Sequence, residues 1–597
     1  MERIKEQAPF LATTALEEFW DTSKPIVFLG EWCRRYSRRS FWEPLNGKVI
    51  NSQWYAREKL LNAYNYVNAL YEQLLPCLSG ALNSIHKVNY SERYWRIVLG
   101  PWLQLYISVI YDRYITLLDA FELHPDFTTI GLSEDSFVIP RDTLEFVQLI
   151  KGDAYNLQMY TSILLFLEKE FPRKNMNVTA DPFIKAERFG SIKGIAKRLV
   201  KNLWKDMGQY WGSGSIVLRS SYFSSSMVLK LFIATRGKMW PVSREVPELP
   251  FFAPDRQARS ILQNLLPENS EFEKLIKKML PFDIPQCFIE GFKTVTNEVE
   301  NSYPAKPKGI FSANAWYYDE VFKRWAAASA EDGTILMGTQ HGGNYGSISP
   351  MPSEDHETAI VDRYYTWGWE RSDCKATVIP ISAPKLSGRV AFGADNQKDG
   401  ILYVATSRPR YLLQFPFISS TFVEYLDWQS RFVKHLSEEV LKKIRLRPHR
   451  EDSGWDIVEH WKDIYPDISI EDWDISFLKS LEKCRLFVCD HQETTFCEAL
   501  SANIPTVLFW NPAVNEIRVD AKPYYEHLHK VGILHYRPES AAATVNAIYE
   551  DVESWWNMPE RQAARNMFCE RFARASLNAI DEWRNEFKSI HCGHPKR

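Results

Sequence analysis

Hydrophobic and polar positions follow two different patterns along the chain, and the change falls near residue 214. Before it, apolar residues recur at spacings of three and four over residues 51–123 and again over 142–171, which predicts long helices. A short apolar run at residues 25–29, ended by Gly30, predicts a strand ahead of this helical block. After residue 214, short apolar runs alternate with helical patterns, which indicates parallel βαβ units.

Residues 383–400 separate two series of these units. The stretch is rich in Gly, Ser, Lys and Asp and has no hydrophobic periodicity, so we place a domain linker there. The predicted strands are 215–219, 309–312, 334–338 and part of 359–370 before the linker, and 401–405, 443–446, 486–489 and 506–509 after it. Residues 538–590 are predicted to be nearly all helical. This α/β outline of two Rossmann-like domains is that of a GT-B fold, which binds its ligand between the domains at the carboxyl ends of the strands.

Composition and charge are typical of a soluble globular protein with more than one domain. The chain has 597 residues, 45% of them hydrophobic and 25% charged, and 72 basic against 75 acidic side chains leave a formal net charge of -3. Without a basic excess, we expect no nucleic-acid partner. The 9 cysteines show no CxxC spacing, so neither a disulfide framework nor a structural zinc site is expected. Cys484, Cys489, Cys497 and His491 are close in sequence, but alternating strand and helix faces would scatter them, so we expect no metal site there either.

Two segments bear on the location of the protein. Residues 1–15 lack the basic, apolar and small-residue order of a signal peptide, and no apolar run approaches the ~20 residues that cross a bilayer. We therefore expect a cytoplasmic protein. Residues 194–205 (GIAKRLVKNLWK) form a basic amphipathic helical pattern, which fits either a peripheral contact with an anionic inner-membrane surface or a core-packed helix with solvated lysines.

Residues 487–510 (FVCDHQETTFCEALSANIPTVLFW) carry the clearest signal for a binding site. A buried strand is predicted to end at Asp490, and after a polar loop a helix begins at Thr494 and Thr495. The free N–H groups and the dipole of that helix start favour an anion such as a phosphate or diphosphate, and the two hydroxyls add donors. Thr495 and Glu498 also fit a T-x-x-E capping box, which needs no ligand. Both interpretations stay open for Thr495, while Glu498 fits the box better than a ribose contact.

A second candidate loop, residues 340–346 (QHGGNYG), follows a predicted strand of the first domain. Gly342 and Gly343 lack side chains and let the backbone approach a ligand closely. His341 stands beside them at the end of the strand. A tight turn with an exposed histidine is the alternative, and the position at the carboxyl edge of a parallel strand favours the functional interpretation.

Basic side chains follow two predicted strands of the second domain. Arg408 and Arg410 lie in ATSRPR, and Arg447 lies in RLRPHR next to His449. Cations at this sheet edge would neutralise a leaving phosphate, whereas solvated surface arginines are the alternative. No DxD-type acidic pair stands where a Mg²⁺-dependent site would need one. We therefore expect cationic side chains and helix dipoles to stabilise the phosphate, with no metal and no other cofactor.

Glu31 and His341 are the two candidates for a general base. Glu31 directly follows the first predicted strand, and Arg34 and Arg35 are near enough in sequence to keep it ionised. Either side chain could take a proton from a hydroxyl group, and either could instead serve in a salt bridge or a cap. The sequence does not decide between them.

Several segments resemble, in the same order, a bacterial transferase family that occurs in O-antigen and surface-carbohydrate gene clusters. They are ALEEFW, PIVFLGEWC, YWRIVLGPWL, QHGGNYG, TWGWE, RLRPHREDSGW and DHQETTFCEALSANIPTVLFW, and they run from about residue 11 to beyond residue 510. Each motif is moderately specific, and the shared order is much more so. The C-terminal segment is more distantly similar to capsule transferases that use CMP-Kdo and to polyol-phosphate transferases that use CDP-glycerol.

The resemblance implies transfer of a sugar from a nucleotide-activated donor, with a CMP-linked acid sugar favoured, onto a surface glycan or a lipid-linked acceptor at the inner membrane. The site positions that it implies are His341, Gly342, Gly343, Tyr345, Arg447, His449, Thr494, Thr495 and Glu498. Tyr94, Trp95 and Arg96 also match, on a helix where packing explains them equally well.

Three parts of the chain receive roles on this basis. Residues 1–382 are expected to form the acceptor-side domain with a helical insertion at about 51–210, residues 401–560 to bind the donor, and residues 561–597 to add C-terminal helices. Two rival functions remain: a CDP-polyol phosphotransferase, and a non-catalytic carbohydrate-assembly protein with the same fold.

Overall fold

The computed structural model describes residues 8–179, 212–242, 248–265, 267–387, 398–514 and 516–592. The basic pattern at residues 194–205 and residues 388–397 of the predicted linker lie outside these ranges. Within the described residues, the chain is an α/β protein built around two six-stranded parallel sheets. None of the described helices is long and apolar enough to cross a membrane.

The N-terminal part of the chain forms a unit of its own. A three-stranded parallel sheet consists of β1 (Phe10–Ala12), β2 (Ile26–Phe28) and β3 (Lys48–Val49), and β4 (Gly131–Leu132) pairs with β5 (Arg173–Lys174). The helices of this unit are Arg39–Trp42, Arg57–His86, Glu92–Val98, Gly100–Leu123, Thr143–Ile150 and Asp153–Phe166. The strand predicted at residues 25–29 therefore belongs to this small sheet. The helical block precedes the first Rossmann-like sheet and does not interrupt it, because none of β1–β5 joins that sheet.

The first six-stranded sheet has the order β11-β10-β9-β8-β6-β7, with every pair parallel. Its strands are β6 (Ile216–Arg219), β7 (Met239–Val242), β8 (Gly309–Ser312), β9 (Ile335–Thr339), β10 (Arg363–Thr366) and β11 (Thr377–Pro380). The helices between them are Ser225–Ala234, Arg256–Leu265, Glu271–Asp283, Phe292–Glu300, Ala315–Tyr318, Glu320–Glu331 and Pro352–Ile360.

The second six-stranded sheet has the order β14-β13-β12-β15-β16-β17 and is also fully parallel. Its strands are β12 (Ile401–Val404), β13 (Ile444–Arg447), β14 (Ser469–Ile470), β15 (Leu486–Cys489), β16 (Thr506–Phe509) and β17 (Leu534–His535). In chain order this is 3-2-1-4-5-6, the strand order of a Rossmann fold. Its helices are Thr421–Lys434, Glu438–Leu441, Ile457–Ile464, Phe477–Lys483, Thr494–Ser501, Lys522–Lys530 and Pro538–Ile548.

The C-terminal helices Val552–Trp556, Pro559–Phe572 and Ala579–Cys592 lead the chain back to the first sheet. Trp583, on the last helix, is fully buried and contacts the rings of Phe223, Phe311 and Tyr365 at centroid distances of 4.9–5.5 Å. Glu586 on the same helix accepts hydrogen bonds from Arg363 and Tyr365 on β10. The end of the chain therefore packs on a face of the first sheet. It connects the two domains in addition to the segment between the two sheets.

The predicted fold class, α/β with two Rossmann-like domains and a helical C-terminus, is confirmed. The central strands β8, β15 and β16 have the predicted bounds. In the two six-stranded sheets, the strands that no pattern predicted are the edge strands β7, β11, β14 and β17. In the N-terminal unit, β1, β3, β4 and β5 were not predicted either.

Candidate active site between the two sheets

Strand order marks one place for a ligand in each large sheet. The order reverses between β12 and β15 in the second sheet and between β6 and β8 in the first. Open α/β sheets bind ligands outside the carboxyl ends of the strands at such points. Arg408 follows β12, Thr494 follows β15, and His341 follows β9, the neighbour of β8. These loops lie on the two sides of one cleft, as the contacts of Gly343 establish.

Gln340 shapes the loop that carries His341. Its side-chain oxygen accepts hydrogen bonds from the Trp367 N–H (2.9 Å) and the Trp369 indole (2.7 Å), and its amide donates to the Gly342 carbonyl (2.8 Å). Gln340 is buried, so leaving these groups without partners would cost free energy. The two sequence motifs QHGGNYG and TWGWE therefore form one structure at the edge of the first sheet.

Gly343 lies directly against the second domain. Its N–H donates to the Thr494 hydroxyl oxygen (3.3 Å). A Cβ atom at this position would lie 2.6 Å from the Glu493 carbonyl oxygen and 2.9 Å from the Cys497 sulfur. A side chain does not fit here. The structure thus assigns Gly343 to the close approach of the two domains, where the sequence suggested the close approach of a ligand.

His341 lies beside this contact with 24% of its side chain exposed. Its Nε2 is 3.3 Å from the Tyr345 hydroxyl, and its Nδ1 is 3.5 Å from Glu357 Oε1. Burial and, to a smaller extent, the positive charge of Lys385 lower the pKa of His341 to about 4. The imidazole is therefore neutral at neutral pH and has a nitrogen able to accept a proton.

Behind His341 lies a carboxylate that sequence reasoning missed. Glu357, on the helix Pro352–Ile360, is fully buried and accepts hydrogen bonds from the hydroxyls of Tyr317 (2.7 Å), Tyr345 (3.0 Å) and Tyr364 (2.6 Å). Burial raises the pKa of Glu357 to about 8. Tyr345, predicted to contact the donor, is itself buried and directed at this carboxylate. The only sequence signal for Glu357 is an acidic residue in a short helix, which is ordinary on a surface.

Asp490 organises the loop after β15. One of its oxygens accepts hydrogen bonds from Tyr403 (2.5 Å) and Gln429 (2.8 Å), and the other from Tyr425 (2.8 Å) and from Nδ1 of His491 (2.9 Å). Four donors from three elements fix the position of this carboxylate. The orientation of the His491 ring follows from it.

His491 is a second residue that sequence reasoning missed, since it was weighed only as a metal ligand. With Nδ1 on Asp490, its Nε2 lies 3.3 Å from the Thr495 hydroxyl. Burial by itself would lower the pKa of His491, but Cys489 and Asp490 raise it well above its usual value. The hydrogen bond to the Asp490 carboxylate thus favours the protonated form of the ring, which lies next to the start of the helix Thr494–Ser501.

This helix begins without a side-chain cap. Its N-cap residue is Glu493, whose side chain makes no capping bond, so the predicted capping box of Thr495 and Glu498 is wrong. Glu498 instead forms an ion pair with Lys385 of the first domain (2.8 Å). The N–H groups of the first turn consequently lack the side-chain partners that a box would supply, which suits an anion at this point.

Arg408 lines a pocket beside the helix start, together with His491 and aromatic side chains that include Tyr425 and Trp510. Burial lowers the pKa of Arg408, and the nearby charge of Glu493 opposes this shift. Among the described residues, no side chain forms an ion pair with the Arg408 guanidinium. The Trp510 indole N–H is also buried without a hydrogen-bond partner in the described part of the chain. This pocket offers a cation and a donor to a ligand.

Arg447, by contrast, is used inside the protein. It is 4% exposed, forms an ion pair with Glu471 (2.8 Å), and its guanidinium lies 4.5 Å from the ring centroid of Trp473. A buried arginine whose charge is already paired does not present an open cation to a phosphate. The structure therefore places Arg447 in a structural ion pair, contrary to the predicted phosphate contact.

Arg410 and His449 also have partners within the protein. Arg410 is buried and donates to the Asp153 carboxylate and to the Trp32 carbonyl oxygen. His449 lies in an exposed loop, where Nδ1 accepts a hydrogen bond from the Glu451 N–H (3.1 Å). Of the basic residues predicted for this edge, Arg408 has the setting of a ligand contact.

Glu31 does not share a sheet edge with His341. It follows β2 of the small sheet, pairs with Arg34, and lines a different pocket that contains Gln53 and Asp119. The two candidate bases therefore follow strands of different sheets, and His341 is the one on the loop that contacts the second domain.

Tyr94, Trp95 and Arg96 are packing residues. Tyr94 and Trp95 are buried, and Arg96 forms ion pairs with Glu72 (2.6 Å) and Glu92 (2.9 Å). The packing explanation for this matching segment therefore suffices.

The fold and the cleft define a two-domain α/β protein that holds a ligand between Rossmann-like sheets. The chain belongs to the LIC12162 family of transferases, whose family model matches residues 9–587. The transferase family predicted from the order of the motifs is thereby confirmed. No curated protein matches the chain significantly.

Solved structures that are similar in fold to this chain include the following three. The wall teichoic acid polymerase TagF is 10% identical, with 67% of this chain and 97% of that chain covered at a TM-score of 0.32. Acinetobacter baumannii MurG is 9% identical, with 63% and 99% covered at a TM-score of 0.29. WaaG, a glycosyltransferase involved in lipopolysaccharide biosynthesis, is 9% identical, with 62% and 99% covered at a TM-score of 0.28. All three similarities are distant.

Proposed function

We propose that this transferase moves a sugar from a nucleotide-activated donor to a hydroxyl group of a surface-glycan or lipid-linked acceptor. The observation that carries the proposal is the cleft itself. At the switch point of the second sheet, a helix start without a side-chain cap and an arginine that no described carboxylate pairs with face a loop of the first domain with a neutral histidine. The acceptor class and a cytoplasmic site of action follow from the sequence motifs alone.

The second domain holds the donor in this proposal. The phosphate rests on the first-turn N–H groups of the helix Thr494–Ser501, with the Thr494 and Thr495 hydroxyls as further donors. Arg408 and the protonated form of His491 neutralise the negative charge that grows on the leaving phosphate. The nucleoside occupies the aromatic pocket beside Arg408.

The first domain supplies the base. The neutral His341 takes the proton of the acceptor hydroxyl, so that the O–H bond breaks as the oxygen attacks the sugar carbon. The bond between that carbon and the phosphate oxygen breaks at the same time, and its electron pair stays on the phosphate. The close contact of Gly343 with Thr494 keeps the base and the phosphate site on one cleft.

Nucleotide binding tests the donor site. We expect one of CMP, CDP, UDP, GDP and TDP to raise the melting temperature, because a ligand of the native state stabilises it. Arg408→Ala should lose most of this shift. Arg445→Ala is the matched control. Arg445 is a half-buried arginine of the same sheet, on β13 and away from the cleft pocket, and two of its nitrogens have no hydrogen-bond partner among the described residues. A full shift in Arg408→Ala, or no shift with any nucleotide, would contradict the assignment.

Turnover and product analysis test the reaction. His341→Asn should keep the nucleotide shift of the wild-type protein and lose transfer, because it removes the base and leaves the donor pocket intact. A product that gains the mass of a sugar without phosphorus supports the proposal. A product that gains phosphorus identifies a polyol-phosphate transferase instead, and nucleotide binding without any product indicates a non-catalytic protein.

A further inference from the structure

Glu357 is a buried carboxylate with an unusual set of partners. Its side chain is fully buried, and its oxygens accept hydrogen bonds from three tyrosine hydroxyls, those of Tyr317, Tyr345 and Tyr364. Across the described ranges, neither a lysine nor an arginine forms an ion pair with it. Burying a carboxylate without a cation is costly, and a neutral side chain of the same shape would satisfy the fold more cheaply.

Glu354, one turn earlier on the same helix, shows the ordinary solution. It is 2% exposed and forms ion pairs with Arg371 (2.9 Å) and Arg518 (3.3 Å). Glu354 and Glu357 lie on the same helix and are similarly buried. Among the described residues, arginines pair with Glu354 and not with Glu357. Glu357 instead faces His341, whose imidazole is neutral at neutral pH and whose Nδ1 is 3.5 Å from Oε1.

The Tyr345 hydroxyl provides a second link between these two residues. It is 3.0 Å from Glu357 Oε1, to which it donates, and 3.3 Å from Nε2 of His341. One side of the imidazole thus faces the carboxylate and the bridging hydroxyl, while part of the ring remains exposed. A carboxylate 3.5 Å from the ring, with a tyrosine hydroxyl in contact with both groups, can hold a base in position.

We propose that Glu357 is the positioning residue of His341: it fixes the ring and stabilises the imidazolium that forms when the acceptor gives up its proton. The inference rests on the proposed function, in which His341 is the base. The proton passes from the acceptor oxygen to a ring nitrogen and stays there, and Glu357 gains and loses no proton in the step. The acceptor oxygen, freed of its proton, forms the new bond to the donor.

A pH dependence follows from the surroundings of Glu357. Burial raises the pKa of Glu357 to about 8, and the negative charge of Glu354 contributes in the same direction. The three tyrosines have pKa values well above their usual range and stay neutral, and the positive charge of Lys385 acts to lower the pKa of His341. Because the ionised carboxylate is the stabilising form, the wild-type rate should rise as the pH passes through about 8.

The test compares Glu357→Gln with the matched control Glu354→Gln over pH 6–10 at saturating substrates. In Glu357→Gln we expect kcat at high pH to fall by between about 10-fold and 10⁴-fold, with both KM values nearly unchanged and the rise near pH 8 lost. Glu354→Gln should keep the rise, displaced at most to lower pH. A Glu357→Gln variant that keeps the rise and loses less than twofold in kcat would overturn the proposal.

Two further measurements separate the possible failures. The first is the rate at which diethylpyrocarbonate modifies His341, followed by peptide mass spectrometry. This rate should rise through about pH 8 in the wild type, where Glu357 ionises, and should stay level in Glu357→Gln. If the wild-type protein transfers nothing, the proposed function fails, and this modification profile still decides whether Glu357 acts on His341. If Glu357→Gln does not fold, Tyr345→Phe, which removes only the bridging hydroxyl, should lower kcat by about threefold or more. An unchanged kcat in that variant counts against the proposal.

Discussion

The contact of Gly343 with the second domain gives the sharpest test of the cleft. In Gly343→Ala, the added methyl group would lie 2.6 Å from the Glu493 carbonyl oxygen and 2.9 Å from the Cys497 sulfur. The first of these is a backbone atom at the start of a helix, so the clash is relieved only when the loop and the second domain move apart. The backbone angle at Gly343 lies outside the left-handed region, and steric contact is therefore the whole perturbation.

The expected size follows from the two interactions affected. Overpacking of this kind costs about 1–3 kcal/mol, and loss of the Gly343 N–H bond to Thr494 adds about 1 kcal/mol. A penalty of about 2 kcal/mol on the closed cleft lowers the equilibrium constant for its formation about 30-fold. We expect kcat/KM to fall by up to about this factor, and the melting temperature to fall by only about 1–3 °C, because the unfolding entropy of so long a chain is large.

Gly342→Ala is the matched control one residue away. A Cβ there would lie 3.0 Å from Oδ1 of the Asn344 side chain, which can rotate, and 3.4 Å from the Tyr345 ring. We expect kcat/KM of this variant to stay near the wild-type value. Nucleotide thermal shifts should persist in both variants, because the donor pocket lies within the second domain. We argue that position 343 must be glycine because the two domains are in contact there, and not because a ligand is. Equal kcat/KM values for the two variants would refute this.

Three further predictions concern stability. Arg447→Ala should lower the free energy of unfolding, measured in urea, by about 3–5 kcal/mol, because it leaves Glu471 buried without its cation. Arg408→Ala should change the free energy of unfolding by less than about 0.5 kcal/mol. Equal effects of the two substitutions would contradict the assignment of Arg447 to an ion pair and of Arg408 to an open pocket. Gln340→Ala should cost about 3 kcal/mol, because three buried hydrogen bonds lose their partner, and a loss below about 1 kcal/mol would show that water replaces them. Burial lowers the pKa of His356 to about 3, so between pH 6.5 and pH 4 the unfolded chain binds a proton that the folded chain does not, and stability is lost as the pH falls. His356→Asn should therefore lose up to about 3 kcal/mol less than the wild type between pH 7 and pH 4, and equal losses would exclude this residue as the cause.

The central strands were predictable and the edge strands were not. β8, β15 and β16 are flanked by neighbours on both sides and fully buried, so each is a continuous apolar run with clear ends. β11 is largely half-exposed, and β14 has two residues with one exposed, so their sequences carry little apolar signal. For these two edge strands, incomplete burial explains the weak pattern. β17 is buried but has only two residues, too few to form a pattern.

Two similar arginines of the second domain have different roles, and a residue on another element determines which role each has. Arg408 and Arg447 each follow or end a strand of the same sheet, and their local sequences look alike. Glu471 pairs with Arg447, while no described carboxylate pairs with Arg408. Which arginine stays open to a ligand is therefore decided by a partner on another element.

The sequence by itself determined the fold class, the central strands and the loops in which the cleft lies. It could do so because hydrophobic periodicity and strand ends are local properties of the chain. Only the tertiary structure decided that Gly343 meets Thr494, that Glu498 pairs with Lys385 and not with the helix start, and that Glu357 lies behind His341. These contacts join residues that are distant in sequence. The charge and the free space around each side chain depend on other elements of the fold, and no local sequence pattern specifies them.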